Sequence, residues 1–301
     1  MHIVTDSGAD LFLTPDEITA LGIHVVPLTV TLSGRSYREG LDISREEFYR
    51  LLADTQDLPT TSQPSAGEFA DVYRRLAATD PDILSIHISS GLSGTAGSAR
   101  AAAEMVPEAR VTVVDSKTLS VATGWQVAAA ARAARAGQAL EEILALVQRI
   151  ADATSTLFTL EELKYLIHGG RISHMKGLIA SMLRLKPFIG VDKVTGMYVQ
   201  MGQARAFPRA LRGIVDLIAR QHAPGSALVA QVAHAQYPEA AAQLRALVSE
   251  RFDCTWVPEA AISFVLGAHT GPTLVGVCFA AAGALGGALT GPAGGAGVGV
   301  G

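Results

Sequence analysis

Short apolar runs alternate with segments of helical character along the first half of the chain. Four runs are rich in β-branched residues, which is typical of buried strands: Ile3–Thr5, Ile23–Leu32, Ile83–Ile88 and Val111–Asp115. Capping boxes, in which Ser or Thr precedes Glu by three residues, open three predicted helices at Thr14–Glu17, Ser44–Glu47 and Ser65–Glu68. Further helices are predicted at Ala96–Met105, Val121–Ala136 and Leu140–Ile150. This alternation predicts an α/β domain with a mainly parallel sheet and flanking helices.

The second half also mixes strands and helices, so we expect a second α/β domain. Strands are predicted at Thr154–Phe158, Leu228–Val232, Thr255–Val257 and Val275–Phe279, with a hairpin around Asp192–Gly196. Helices are predicted at Leu160–Ile167, Met175–Leu185, Arg205–Arg220 and Pro238–Ser249. The stretch Val265–Pro272 is expected to end in a polar, Gly-rich turn. The expected domains are residues 1–155 and 156–280.

The end of the chain differs in composition from both domains. No Asp, Glu, Lys or Arg follows Glu259, and residues 280–301 are mostly Ala and Gly. An uncharged segment can resemble a membrane span, but this one lacks the bulky side chains of a lipid-facing helix. Residues 281–301 are therefore expected to be a flexible, low-complexity tail.

Overall composition narrows the class of protein. The 301 residues are 49% hydrophobic and 17% charged, which provides for a large core. A net charge of −4 without a basic block argues against a nucleic-acid partner. Two cysteines, Cys254 and Cys278, are too few for a disulfide framework, and no Cys/His cluster has zinc spacing. The start of the chain lacks the pattern of a signal peptide, so a cytoplasmic location is expected.

Two hydroxyl-rich clusters precede helices in the first half. Ser89–Thr95 contains Gly91 and Gly94 and follows a strand, and Thr60–Ser65 lies before another helix. Hydroxyls and the free N–H groups of helix N-termini bind anions. Either cluster alone is typical of ordinary N-caps. Together with the polar stretch Gly267–Gly271 they favour a site for an oxyanion head group.

Five motifs in order carry a resemblance to a known family. They are Thr5–Asp10, Thr61–Ser65, Ile88–Thr95, Gly169–Ser173 and His269–Pro272. In this order and spacing the chain resembles the DegV family over residues 1 to 280. One departure is Thr273, where the family often has another Gly.

The resemblance implies a two-domain α/β protein that binds one long-chain fatty acid between its domains. Such a protein is the binding subunit of a fatty acid kinase and needs no cofactor or metal. Its partners would be an ATP-binding subunit, which phosphorylates the carboxylate for phospholipid synthesis, and transiently a membrane.

The resemblance also implies roles for particular residues. The carboxylate would be bound by Thr61, Ser62, Ser93, Gly94, His269 and Thr270. Arg171 would either pair with the carboxylate or brace its own loop. Arg205 and Arg209, with Arg212 nearby, would dock the kinase subunit, although spacing alone favours an ordinary solvated helix face.

Three other classes of function remain open at this stage. A serine hydrolase would use Ser93 as nucleophile, His269 as base and Asp6 or Asp115 as third member. However, Gly91–Gly94 departs from the Gly-x-Ser-x-Gly elbow by one residue. A nucleotide-binding enzyme would need a Gly-x-Gly-x-x-Gly or Walker loop, and the sequence has neither. A structural or regulatory scaffold is the third.

Overall fold

A computed structural model describes residues 1–172, 185–285 and 287–289. The strands of this part are β1 His2–Asp6, β2 Ile23–Val26, β3 Thr29–Leu32, β4 Arg35–Arg38, β5 Thr60–Ser62, β6 Asp82–His87, β7 Arg110–Asp115, β8 Ser155–Thr159, β9 Lys186–Val191, β10 Tyr198–Ala204, β11 Ala227–His234, β12 Asp253–Trp256, β13 Ala260–Ala261 and β14 Val275–Ala281. The helices are α1 Pro15–Ala20, α2 Arg45–Ala53, α3 Ala66–Ala77, α4 Thr95–Glu104, α5 Ser120–Arg135, α6 Leu140–Ala153, α7 Lys164–His168, α8 Phe207–Gln221, α9 Pro238–Ser249, α10 Phe264–Thr270 and α11 Ala282–Leu285. The predicted mixed α/β class is confirmed.

A parallel sheet with the order β2-β1-β6-β7 is the centre of the first half. Its strands pair in register through contacts such as Ile3↔Ile23 and Ile86↔Val114. Helices α1 and α3 begin with complete capping boxes at Thr14 and Ser65, as predicted. Because parallel strands end at the same edge, the loops that follow β1 and β6 meet there.

A small antiparallel sheet, β4-β3-β5, corrects two predictions. The single strand predicted over Ile23–Leu32 is wrong, because Pro27 lies between β2 and β3, which pair in different sheets. The hydroxyl cluster Thr60–Ser65 lies only partly at a helix start, because Thr60–Ser62 form strand β5 and Ser65 caps α3. The pairing partner of β5 is β3, with Val30 opposite Thr61.

The second half contains a larger sheet with the order β10-β9-β8-β14-β11-β12, and β13 pairs with β11. The predicted hairpin is confirmed by the antiparallel pairing of β9 and β10. Helices α8 and α9 pack on one face of this sheet through an apolar cluster that includes Ile214, Leu244 and Phe279. All strands of this sheet lie after residue 154, and those of the other two sheets lie before residue 116.

One apolar cluster joins the two halves. It contains Leu119 and Trp125 from the first half and Phe158 and Tyr198 from the second. At its centre, the buried Trp125 indole N–H donates to Oε1 of Gln231 at 2.5 Å. The space between the halves is therefore bounded mainly by apolar side chains.

Two predictions concern the parts of the chain near the limits of the described residues. The tail expected from residue 281 is wrong for its first residues, because α11 covers Ala282–Leu285 and the side chains of Leu285 and Leu289 are buried. Nη1 of Arg132 donates to the Leu289 carbonyl at 3.1 Å, which fixes this segment to α5. The rest of the expected tail, residue 286 and residues 290–301, lies outside the described residues. Most of the predicted helix Met175–Leu185 lies outside the described residues, as does Ser173 of the fourth motif.

Candidate functional site

Four segments that are distant in sequence meet at one cavity. It is lined by Thr61 from β5, Ser93 from the loop before α4, Arg171 after α7 and His269 near the end of α10. Apolar residues complete its walls: Leu28, Ile88, Leu92, Leu119, Tyr198, Val265 and Leu266. The cavity thus combines a small polar group with an apolar surround, which is the general character of a ligand site.

Strand β5 presents Thr61 to the cavity by simple alternation. Successive side chains of a strand point to opposite faces, and accordingly Thr60 and Ser62 are exposed while Thr61 is half-buried. The Thr61 hydroxyl lies 2.6 Å from Nε2 of His269. This hydrogen bond connects the antiparallel sheet to α10.

His269 lies in a helix and not in the polar turn that the sequence predicted. Helix α10 runs from Phe264 to Thr270, and Gly271 follows it with a φ of +77°. Burial, followed by the nearby Arg171, lowers the pKa of His269 to about 4, so its imidazole is neutral at pH 7. Its Nδ1 has no hydrogen-bond partner among the described residues.

Two acidic side chains position the start of α10. The Glu39 carboxylate accepts hydrogen bonds from the Ser263 hydroxyl, at 2.5 Å, and from the Phe264 N–H, at 2.7 Å. Asp10 accepts from the Ser263 N–H at 2.6 Å. Desolvation raises the pKa of Asp10 to about 7 and also raises that of Glu39. These carboxylates satisfy N–H groups that a helix start leaves free.

Arg171 braces its surroundings in the structure. Its Nε donates to the Leu92 carbonyl at 3.2 Å and its Nη1 to the Gly169 carbonyl at 2.6 Å. No partner for Nη2 is found in residues 1–172, 185–285 and 287–289. The side chain lines the cavity, so the guanidinium combines a bracing role with a free donor for an anion.

Ser93 lies just before α4, whose N-cap is Gly94. The Ser93 hydroxyl is 2.8 Å from the Thr95 hydroxyl and accepts from the Thr95 N–H at 3.3 Å. Gly94 makes no side-chain cap, so other first-turn N–H groups lack a side-chain partner there. The arrangement offers donors and a positive dipole end to an anion.

The other predicted head-group residues are located elsewhere. Ser62 and Gly94 are exposed, and a side chain on Gly94 would collide with Gln63. Thr270 is buried, but its hydroxyl donates to the Leu266 carbonyl at 3.1 Å and it lines a second cavity. The structure therefore brings together Thr61, Ser93, Arg171 and His269.

The second cavity lies next to the first. The two share Leu119, Tyr198 and Leu266. The further lining of the second is mostly apolar: Val121, Phe158, Ala233, Ile262, Leu274 and Val277. Polar side chains are thus present at the first cavity, and mostly apolar side chains line the second.

The geometry does not assemble a catalytic triad on His269. Asp6 is bonded to His87 at 2.9 Å in a fully buried pair. Asp115 accepts from the Ser90 hydroxyl and lies 3.0 Å from the Lys117 ammonium. Neither carboxylate orients His269, and the Ser93 hydroxyl contacts Thr95 rather than an imidazole.

No group of His, Cys, Asp and Glu side chains suited to a metal ion lies within the described residues. No helix within them has the length and hydropathy of a membrane span.

Comparison with known proteins places the chain in a family. A family model described as "Uncharacterised protein, DegV family" matches residues 1–282. The chain belongs to the DegV family. A DegV domain-containing protein of Deinococcus radiodurans is 35% identical over 278 residues, which cover 92% of this chain and 94% of that protein. A DegV domain-containing protein of Staphylococcus aureus strain N315 is 34% identical over 91% of this chain and 96% of its own length.

Solved structures of DegV proteins have the same fold. A Thermus thermophilus DegV family protein, described as binding fatty acid, aligns with a TM-score of 0.80 and 33% identity over 93% of this chain and 99% of its own. DegV from Bacillus subtilis, described as a fatty acid binding protein, aligns with a TM-score of 0.81 and 29% identity over 93% and 98%. The DegV-like α/β fold expected from the motifs is thereby confirmed.

Several residues of the site gave no functional signal in the sequence. Glu39 supports α10 from a position more than 200 residues away along the chain. Leu119 and Tyr198 line both cavities, yet as single apolar residues they resemble any core residue. Asp10 and Gly169 lie within the first and fourth motifs, but the motifs did not indicate what they do. Asp10 supports the start of α10, and the lack of a side chain at Gly169 makes room for His269.

Proposed function

We propose that this DegV protein binds one long-chain fatty acid in these two neighbouring cavities, which we call the acyl tunnel, with the carboxylate at Thr61, Ser93, Arg171 and His269. The observation that carries the proposal is that a cavity with polar donors and a mostly apolar cavity lie side by side and share Leu119, Tyr198 and Leu266. A tunnel with donors at one end and apolar walls beyond matches the two chemical parts of a fatty acid. Relatives with the same fold are described as binding fatty acids.

The head-group contacts follow from the state of His269. A neutral imidazole that donates from Nε2 to the Thr61 oxygen leaves the Thr61 proton free for a carboxylate oxygen. Nη2 of Arg171 and the Ser93 hydroxyl supply further donors. Hydrogen bonds to a charged group contribute about 1.5–3 kcal/mol each, enough to fix the orientation of the carboxylate.

Affinity comes mainly from the acyl chain. Each CH₂ group removed from water contributes about 0.8 kcal/mol, so a sixteen-carbon chain supplies a gross driving force well beyond that of the head group. Uniform apolar walls distinguish poorly between neighbouring chain lengths, because one methylene changes affinity by a small factor.

The proposal includes presentation of the carboxylate to a separate kinase subunit. The sequence has no phosphate-binding nucleotide loop, so a phosphoryl donor would arrive on another protein. A carboxylate held in one orientation near the opening is a suitable acceptor, because fixed geometry lowers the entropic part of the barrier. Arg205 and Arg209 are exposed beside the start of α8 and would steer an acidic partner.

Thermal unfolding of delipidated protein tests the binding step. Palmitate that binds the folded state raises Tm with concentration by mass action. Addition of the ATP-binding subunit and ATP should then yield acyl-phosphate only when both proteins are present. An unchanged Tm at saturating palmitate would contradict the proposed binding. Acyl-phosphate formation by this chain alone would contradict the proposal that a separate subunit supplies the phosphoryl group.

A further inference from the structure

A third cavity adjoins the apolar end of the acyl tunnel. Its lining combines charged, amide and hydroxyl side chains with apolar ones. It lies between the loop after β7, the helices α5 and α6, and the β9–β10 hairpin. Polar lining residues include Asp115, Lys117, Gln126, Gln148, Asp152, Thr154 and Lys193. We call it the distal cavity.

Thr156 lies where the tunnel and the distal cavity meet. Thr156 lines both spaces, and its register partner Cys278 lines the tunnel. The Cys278 thiol is held by the Thr156 hydroxyl, and Lys193 of the distal cavity acts on it electrostatically. The polar side chains of the distal cavity therefore begin directly beyond Thr156 and Cys278 of the tunnel wall.

Two buried polar atoms that line the distal cavity have no partner. Gln126 is fully buried, its Nε2 donates to the Ser116 carbonyl at 3.2 Å, and its Oε1 has no hydrogen bond among the described residues. Thr154 is 7% exposed, and its hydroxyl is likewise unpaired in that part of the chain. Buried polar atoms normally find partners, so these two leave hydrogen-bonding capacity for a bound polar group.

The charges of the distal cavity are balanced within it. The Lys117 ammonium lies 3.0 Å from the Asp115 carboxylate, and the Lys193 ammonium donates to the Asp152 carbonyl. Gln126 Oε1 can only accept a hydrogen bond. A carboxylate cannot donate to it, whereas a hydroxyl can donate to Gln126 and accept from Thr154 or a lysine.

We infer that the preferred ligand is a long-chain fatty acid with a hydroxyl group at its far end, which reaches the distal cavity past Thr156. The inference rests on the proposed function and adds a substrate class to it. In an entirely apolar tunnel a terminal hydroxyl would weaken binding, because it loses water without gaining a partner. Here the distal cavity supplies that partner.

Displacement of a fluorescent fatty acid from delipidated protein tests the inference. The competitors are palmitate, 16-hydroxyhexadecanoic acid and hexadecanedioic acid. We expect the hydroxy acid to bind at least as tightly as palmitate, and the dicarboxylic acid to bind more weakly than both. Weaker binding of the hydroxy acid by about tenfold or more, or tightest binding of the dicarboxylic acid, would overturn the inference.

Variants separate the hydroxyl contact from the tunnel. Thr154→Val keeps the shape of the side chain and removes a hydroxyl without a partner, so folding should be undisturbed. Gln126→Met removes the unpaired acceptor, and its folding is checked by Tm. The matched control is Thr5→Val in β1, because Thr5 also has a buried hydroxyl with no partner in the described residues.

The expected result is a fall of about tenfold in the preference for the hydroxy acid over palmitate in Thr154→Val or Gln126→Met. Thr5→Val should leave that preference unchanged. An unchanged preference in both distal-cavity variants would overturn the inference while palmitate binding, and with it the proposed function, stands. Failure of palmitate itself to bind would overturn both.

Discussion

The Thr61 hydroxyl lies 2.6 Å from Nε2 of His269, although the two residues are 208 positions apart. The bond links β5, an edge strand of the small antiparallel sheet, to the buried helix α10 at the polar end of the acyl tunnel. A change at either residue should therefore act on ligand binding more than on the separate cores of the two halves.

The first prediction concerns Thr61. Thr61→Val removes the hydroxyl that connects His269 to the carboxylate, and should weaken fatty-acid affinity by about 1.5–3 kcal/mol. Residual binding through the acyl chain should persist. Thr60→Val on the exposed face of the same strand is the matched control. Equal affinities of the two variants in a displacement assay would show that Thr61 does not contact the ligand.

The second prediction concerns the room made for His269. A Cβ on Gly169 would overlap Nδ1 of His269, so Gly169→Ala should displace the imidazole and weaken fatty-acid binding. Gly97→Ala is the control, because a Cβ there meets no atom within 4 Å and α4 should gain about 0.5–1 kcal/mol. Urea unfolding and ligand titration of both variants measure the two effects. Tight binding by Gly169→Ala would contradict the packing described.

The third prediction concerns the pH dependence of stability. Desolvation raises the pKa of Asp10 from 3.8 to about 7 in the folded protein. Folding thus favours the neutral acid. The contribution of Asp10 to the free energy of unfolding is therefore fully present below pH 4 and is lost as pH rises through 7. The free energy of unfolding of wild type minus that of Asp10→Asn should fall between pH 5 and 8. A flat or rising difference would contradict the buried setting of Asp10.

The fourth prediction concerns the proposed kinase contact. Arg205→Glu with Arg209→Glu should slow acyl-phosphate formation by the cognate kinase subunit and leave fatty-acid affinity intact. Because salt screens exposed charges, the difference from wild type should narrow as ionic strength rises. Arg220→Glu, exposed in the last turn of the same helix, is the control. An unchanged rate at low salt would show that Arg205 and Arg209 do not contact the kinase subunit.

Local patterns in the sequence predicted the elements whose causes are local. The capping boxes at Thr14 and Ser65 and the hairpin around Asp192–Gly196 depend on residues a few positions apart. The break at Pro27 was missed because the apolar run continues across it, and only long-range pairing assigns its two halves to different sheets.

The site was predictable only in part, because its residues come together through contacts between distant parts of the chain. The motifs pointed to Thr61, Ser93, Arg171 and His269, which line one cavity. The helical setting of His269 was missed because α10 is short and bounded by Gly271. Its anchors Glu39 and Asp10 meet Phe264 and Ser263 across 225 and 253 positions, and no local pattern encodes such a contact.

Native mass spectrometry of the purified protein, followed by lipid extraction, tests the central claim most directly. The account predicts one long-chain fatty acid per chain, released when the protein is denatured and bound again after delipidation. Protein that carries no fatty acid, and takes up none when palmitate or oleate is added in excess, would contradict it.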